Sequence, residues 1–320
     1  MLEAWKEFIK GKRNRKDVQK FGIHLMDNIL TLHHDLIHKT YTHSPYEHFK
    51  ISDPKPRDIH KAKVRDRLLH HAIYRILYPY FDSKFIYDSY SCRLNKGTHR
   101  AINRFRRFVW KVSKNNTKQC FILKCDIKRF FASIDHNILI SILKRHISDT
   151  DTIWLLNQII SSFYSIEVGK GLPLGNLTSQ LLVNIYMNEF DQYIKHILKI
   201  KYYIRYADDF IILYKDKEYL LEILHKINIF LSQQLSLHLH PNKVFIETIS
   251  SGIDFLGWIH FPNHRILRTS TKKRMFRNLK NKPKPETIQS YLGLLRHGDT
   301  FKLKRKIQII YSISTSGTFL

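Results

Sequence analysis

The residues best suited to chemistry are three carboxylates. Asp208 and Asp209 are adjacent in Tyr206-Ala207-Asp208-Asp209, a short step between two apolar segments, 202–206 (YYIRY) and 210–214 (FIILY). Both segments read as strands, so the pair falls at the tip of a tight hairpin. Aspartates in a solvated turn are ordinary turn formers, and that explains most such pairs. Asp126 changes the weighing, because it ends another apolar strand, 120–126 (CFILKCD). All three acids then lie where central strands run out, on one edge of one sheet. Carboxylates gathered there repel one another unless cations lie between them. Two Mg²⁺ ions about 3.5–4 Å apart are the usual solution in nucleotidyl transfer, with Mn²⁺ a possible substitute.

A second candidate is the segment Gly171 to Gln180 (GLPLGNLTSQ). Its glycines and proline suit a loop that approaches a ligand closely, and Asn, Thr or Ser can cap the helix that follows. Such a loop, feeding a helix N-terminus, could hold phosphate or nucleic-acid backbone. Taken alone it would be only a capped helix. The 19 histidines include the pairs His33–His34 and His70–His71, but none sits in an HExxH arrangement, so no zinc site is expected.

The elements that must position these groups are legible around them. A helical pattern runs through Leu68, Leu69, Ala72, Ile73, Ile76 and Leu77. After the strand 120–126, residues 136–147 read as a helix, and a long amphipathic helix follows at about 178–198. The two hairpin strands come next, then a helix at about 217–234 and a strand near 243–248. This order describes an α+β fold, a split β-α-β arrangement with helices covering one face of an antiparallel sheet. From Arg265 to Lys306 the chain carries 14 Lys or Arg against Glu286 and Asp299, with a helix break expected at Pro283 and Pro285.

Composition narrows the partners. The 320 residues are 43% hydrophobic and 13% aromatic, enough for two or three packed lobes. Lys and Arg total 54 against 27 Asp and Glu, a formal charge of +27 that favours a polyanion. No apolar run approaches the roughly 20 residues of a spanning helix, so nucleic acid is preferred to membrane. The N-terminal residues lack the apolar core of a signal peptide. Cys92, Cys120 and Cys125 form no Cys-x-x-Cys pair. A reduced, cytoplasmic setting is expected.

Taken in order, CDIKRFFASIDH, GLPLGNLTSQLLVNIYMNEFD, YADD and FLGW resemble the palm of bacterial reverse transcriptases. Upstream, KPRDIHKAKVRDRLLHHAI and DSYSCRLNKGTHRAI resemble their fingers motifs; downstream, LHLHPNK and SYLGLLRHGDTFKLKRK resemble the approach to the primer grip and the end of the thumb. The resemblance spans roughly residues 50–310 and implies a right-hand polymerase. Fingers would occupy 1–119, palm 120–262 and thumb 263–320, with 140–170 able to pack against the fingers.

The resemblance also implies roles. Asp126, Asp208 and the backbone of Ile127 become metal ligands, with Asp209 the outer member of the set. Phe131 falls at the steric gate that selects deoxynucleotides; Phe130 and Phe131 could equally be core, and one of them should be. Arg57 and Arg67 match positions that contact the incoming dNTP, Arg65 being close enough to exchange roles. Leu174, Gly175 and Gln180 would lie by that nucleotide. Lys243 matches a lysine that protonates the leaving pyrophosphate, although an exposed lysine is ordinarily a solvated charge. Phe255, Leu256, Gly257 and Trp258 match the primer grip, where a buried hairpin would use the same residues. Arg93, Lys304, Arg305 and Lys306 would contact nucleic acid, the partners being template RNA and the RNA/DNA hybrid.

One departure narrows the family. Most reverse transcriptases have Gln-Gly, then Ser-Pro, in the loop after Pro173; here Leu174 replaces that Gln and Gln180 replaces that Pro. This version resembles the enzymes of diversity-generating retroelements, which misincorporate mainly opposite template adenine and work with a small basic accessory protein. Compact length agrees, no maturase, endonuclease or RNase H segment being expected after the thumb. Retron-like, intron-derived and phage-defence enzymes are the alternatives. A non-catalytic RNA-binding protein on the same fold is the rival from another class, but a dead palm usually lacks a carboxylate.

Overall fold

The computed structural model describes residues 1–53, 56–281 and 284–316. Three N-terminal helices, α1 (Leu2–Phe8), α2 (Lys16–Ile23) and α3 (Leu25–Ile37), precede a hairpin of β1 (Glu47–Ile51) and β2 (Arg57–Lys61). Helix α4 (Val64–Lys84) follows, and α1 and α2 pack on it. Its buried stripe, Leu68, Leu69, Ile73 and Leu77, is the expected one; Ile76 lies at the stripe's edge and is exposed.

Helix α5 (Thr98–Val112) leads to β3 (Phe121–Asp126), a short α6 (Phe130–Ser133), α7 (His136–His146) and α8 (Thr150–Ser161). Asp135 and Asp149 cap the last two, the first accepting from the backbone N–H groups of Asn137 and Ile138 and the second from that of Thr152. The segment before Gly171 does meet the N-terminal part: the Tyr46 and Ser162 hydroxyls are 3.0 Å apart, and Phe163 packs edge-on against Tyr46 and His60.

Helix α9 (Leu177–Gln192) runs on through a π-helical turn, Tyr193–Ile197, to β4 (Tyr203–Tyr206) and β5 (Asp209–Tyr214). Then come α10 (Lys217–Leu235) and β6 (Phe245–Thr248). The central sheet is antiparallel in the order β4-β5-β3-β6. Helices were expected on one of its faces, and the structure corrects this. Leu123, Cys125, Phe210 and Ile212 face α9 and α10, while Ile122, Ile211 and Leu213 face Phe105 and Phe108 of α5. The reason is the unbroken apolar run of β5, which leaves no side of the strand fit for water.

A small antiparallel sheet, β7 (Ile253–Phe255), β8 (Trp258–His260) and β9 (Arg265–Leu267), packs under the second face. The chain ends in α11 (Thr269–Asn281), α12 (Pro285–Leu295) and α13 (Phe301–Ser316). Pro285 opens α12 at a position where its missing N–H costs nothing; Pro283 lies outside the described residues. Among the described residues no helix is long and apolar enough to cross a membrane. Cys92, Cys120 and Cys125 are free thiols.

Candidate active site

The β3–β5 ladder sets Asp126 opposite Asp209, and the β4–β5 ladder sets Tyr206 opposite Asp209. Ala207 and Asp208 alone form the turn, with Ala207 at φ 57°. A residue bearing a Cβ is strained in this left-handed region. The turn is held from both sides. Ile127 donates its N–H to the carbonyl of Asp208 at 3.2 Å, and Arg205 donates to the carbonyl of Ala207 at 3.1 Å.

Arg205 is the largest commitment behind the site. It is fully buried, with Nη2 and Nε donating to Asp191 at 2.6 and 2.8 Å and further bonds to Asn184 and Ser89. Tyr203 donates its hydroxyl to the same Asp191 at 2.7 Å. This pair joins α9, β4 and the 88–91 segment directly under the carboxylates. The signal available for it in the sequence is an arginine inside the apolar strand YYIRY.

The three acids differ in surroundings. Asp126 accepts a hydrogen bond from Lys243 Nζ at 2.9 Å. Burial raises the carboxyl of Asp208 above its usual range and the neighbouring charge of Asp126 adds to this, with Lys243 and Arg57 opposing. Burial pushes Asp209 up to about 7, partly offset by Lys124. Lys124 Nζ lies 3.6 Å from Asp209 Oδ2 and donates to the carbonyl of Asp254 at 2.6 Å, while Asp209 Oδ1 is buried with no hydrogen-bond partner. A lysine within the strand CFILKCD was the overlooked signal for this contact. Among the described residues no three His, Cys, Asp or Glu side chains converge as a closed ligand set. The acids form instead an open pair, Asp126 and Asp208, with Asp209 turned toward Lys124. Carboxylate oxygens are the donors a hard divalent cation prefers, and the partnerless Oδ1 of Asp209 fits one.

These acids line a cleft of about 1530 Å³. Of the residues singled out in the sequence, Arg57, Phe130, Phe131, Leu174, Gly175, Gln180, Lys243, Leu256 and Gly257 also line it, Phe130 by no more than an edge of its buried ring. The β2 strand is tied to the Gly175 loop: His60 donates its N–H to the carbonyl of Leu174 at 3.1 Å, and Asn176 Nδ2 donates to the carbonyl of His60 at 2.9 Å. Gly175 has φ 103°, and a Cβ there would stand 3.0 Å from Ile59. Phe131 is half-exposed on the cleft, whereas Phe130 is 4% exposed in the core.

The other expected residues lie away from the cleft wall. Arg67 does not line the cleft: its Nη2 binds Asp17 at 2.5 Å, in a separate pocket beneath the N-terminal helices. Arg65, its alternative, binds Asp35. Arg93 is buried, its guanidinium donating to Asp82 and to the carbonyls of Ile86 and Ser89, so it fastens a loop. Phe255 and Trp258 point into the core together, as register partners on one face of the hairpin closed by the Leu256-Gly257 turn. Lys304, Arg305 and Lys306 lie off the cleft wall on α13, whose Ile307 is the buried side. The cations of the C-terminal part that reach the cleft are Arg268, Lys273, Arg274 and Arg277.

A family model described as reverse transcriptase (RNA-dependent DNA polymerase) matches residues 50–260. The chain belongs to the reverse transcriptase family. This reverse transcriptase is 26% identical over 286 residues to Protein YkfC of Escherichia coli (strain K12), covering 78% of this chain and 71% of that one. It is 24% identical over 314 residues to the group II intron-encoded protein LtrA of Lactococcus lactis subsp. cremoris, covering 77% of this chain. It spans 50% of LtrA and 18% of the putative COX1/OXI3 intron 1 protein of Saccharomyces cerevisiae, to which it is 29% identical over 160 residues. Among solved structures, apo telomerase from Candida tropicalis, truncated from its C-terminal domain, gives a TM-score of 0.52 at 13% identity. That match covers 77% of this chain and 60% of the other. The likeness concerns the fold, a right-hand polymerase.

Proposed function

We propose that this reverse transcriptase extends a primer 3′-hydroxyl with deoxynucleotides on an RNA template, releasing pyrophosphate. The observation that carries this reading is that Asp126, Asp208 and Asp209, at the ends of neighbouring strands, all line one open, basic cleft. Asp126 and Asp208, with the Ile127 backbone and Asp209, would hold Mg²⁺, or Mn²⁺ in its place. Such ions, when bound, make the attacking hydroxyl a better nucleophile and neutralise charge on the transferring phosphoryl group.

The chain's own groups supply the rest. Arg57, exposed on β2 at the mouth of the cleft, meets the triphosphate. Lys243, held on Asp126, is placed to give a proton to the departing pyrophosphate. The Phe131 ring crowds a 2′-hydroxyl. Leu256 and Gly257, both at positive φ in a two-residue turn, present backbone to the primer end. Cations of α11 follow the backbone of the A-form hybrid without reading sequence. Fingers to residue 119, palm over 120–262 and thumb from 263 remain the division we favour.

Within the family, Leu174 and Gln180 support a diversity-generating retroelement enzyme, error-prone at template adenine and working with a small basic accessory protein. Both side chains line the cleft, beside the nucleotide site proposed above. A second reading, an intron-derived enzyme, is favoured by the likeness to LtrA. Primer extension on an RNA template with Mg²⁺ tests the activity itself. Templated DNA is the expected product. A folded protein that binds hybrid and extends nothing would be a non-catalytic RNA-binding protein.

A further inference from the structure

Helix α5 divides into two faces. Ala101, Ile102, Phe105, Phe108 and Val109 are buried against the central and small sheets. The other face carries a cation every three or four positions: Arg100, Arg104, Arg107 and Lys111, continued by Lys114 and Lys118 in the turn beyond. At a rise of about 1.5 Å per residue, the helical part of this row is roughly 16 Å long. No Asp or Glu occurs from Ser89 through Cys125. Among the described residues only Arg104 of the six forms an ion pair, with Asp88. Like charges at this spacing repel one another, so an anionic partner would relieve them.

Two aromatic side chains stand in the same surface. Trp110 is 38% exposed with Arg106 4.6 Å from its ring centroid. Tyr87 is 68% exposed, with Lys96 at 3.6 Å and Arg104 at 5.1 Å. Exposed rings among cations make a surface for nucleic acid, backbone on the charges and bases on the rings. An anionic membrane would want a broad apolar face, and among the described residues Trp110 is the one exposed large apolar side chain that α5 offers.

The row begins beside the cleft without belonging to it. Thr98, the first residue of α5, lines the cleft and donates its hydroxyl to that of Tyr206 at 3.2 Å. None of the six cations lines it. We propose that the outer face of α5 is a second nucleic-acid surface, which holds a folded part of the same RNA whose unpaired part enters the cleft. Tethering through that RNA gives the folded part a high effective concentration at α5. Recognition is of A-form backbone, not sequence.

The test compares two substrates on the full chain: a short primer–template hybrid, and the same primed segment embedded between two RNA hairpin arms. The variant replaces Arg107, Lys111, Lys114 and Lys118 by Gln, and a control replaces Arg107 by Lys. We expect the Gln variant to bind and extend the short hybrid as wild type does. Its affinity for the armed RNA should fall at least tenfold, with the log–log salt slope smaller by about 3. The Lys control should keep wild-type affinity. Equal loss on both substrates would make these residues part of the cleft's own binding path and overturn the proposal. No loss on either would also overturn it. So would unchanged RNA affinity with lost capture by phosphatidylserine vesicles, which would mark a membrane face.

Discussion

Asp126, the last residue of β3, and Asp209, the first of β5, are register partners across the central ladder. Like charges directly opposite on a sheet are destabilising. The fold answers with one lysine for each, Lys243 on Asp126 and Lys124 on Asp209. The two lysines offset the repulsion at this edge.

The Arg205–Asp191 pair should dominate the stability of the hairpin that carries Asp208. Arg205→Met leaves Asp191 buried without its partner and should destabilise the protein by about 3–5 kcal/mol. Adding Asp191→Leu should recover much of the loss in thermal unfolding, because a buried pair is worth little over apolar packing. Polymerisation by the double variant should stay depressed, since the Ala207 carbonyl has lost its donor. Full activity in the double variant would show that the turn does not need Arg205.

Sugar choice separates the two adjacent phenylalanines. Phe131→Val should admit ribonucleotides with little change in melting temperature, because the ring stands half-exposed in the cleft. Phe130→Val should instead cost about 1–3 kcal/mol and leave selectivity alone, as expected for a shrunken core side chain. Measured dNTP and rNTP incorporation falling together in Phe131→Val would move the gate elsewhere.

Two buried histidines set an acid limit. Burial, with nearby His43, His71 and Arg67, lowers His70 to about 3; burial and Arg265 lower His260 to about 3. The unfolded chain takes up these protons near pH 6.5, while the folded chain resists until far lower pH. Stability therefore rises with pH between those values and is lost as pH falls below about 6.5. Denaturant midpoints at about pH 7.5 and 5.5 should show this, and His70→Leu should remove about 1 kcal/mol of the difference. An identical pH response in that variant would refute the assignment.

The retroelement reading predicts errors concentrated opposite template adenine, and Leu174→Gln should reduce them. A glutamine can hydrogen-bond to a nascent pair where leucine offers only apolar contact. One or two such bonds are worth about tenfold in discrimination. Deep sequencing of complementary DNA from a defined RNA, with any accessory protein supplied, reads this directly. Uniform low error would favour the intron-derived alternative. High adenine error untouched by Leu174→Gln would keep the subtype and discard the role of this loop.

Much of the central layer was legible because its strands are short apolar runs cut by polar steps. The segment 120–126 became Phe121–Asp126, and 217–234 became Lys217–Leu235. Side-chain destinations were less legible, since they depend on partners far along the chain. Arg67 finds Asp17, 50 positions earlier, and Arg93 finds Asp82 and two carbonyls. A motif shows a cation but not the acid it will meet. Within the primer-grip segment, Leu256 and Gly257 form the two-residue turn and line the cleft, while Phe255 and Trp258, the register partners that flank it, are buried. Lys124 and Arg205 were visible as charges in apolar strands, which a buried position would not tolerate without partners.

Catalysis by the three carboxylates is read out by primer extension with single Asn variants. On a primed RNA template with Mg²⁺, Asp126→Asn and Asp208→Asn should each lose at least about a hundredfold in rate. Asp209→Asn, already turned to Lys124, should lose less. Hybrid affinity, set by cations elsewhere in the cleft, should change by no more than about twofold in all three. An Asp208→Asn enzyme that polymerises at nearly the wild-type rate would contradict the account.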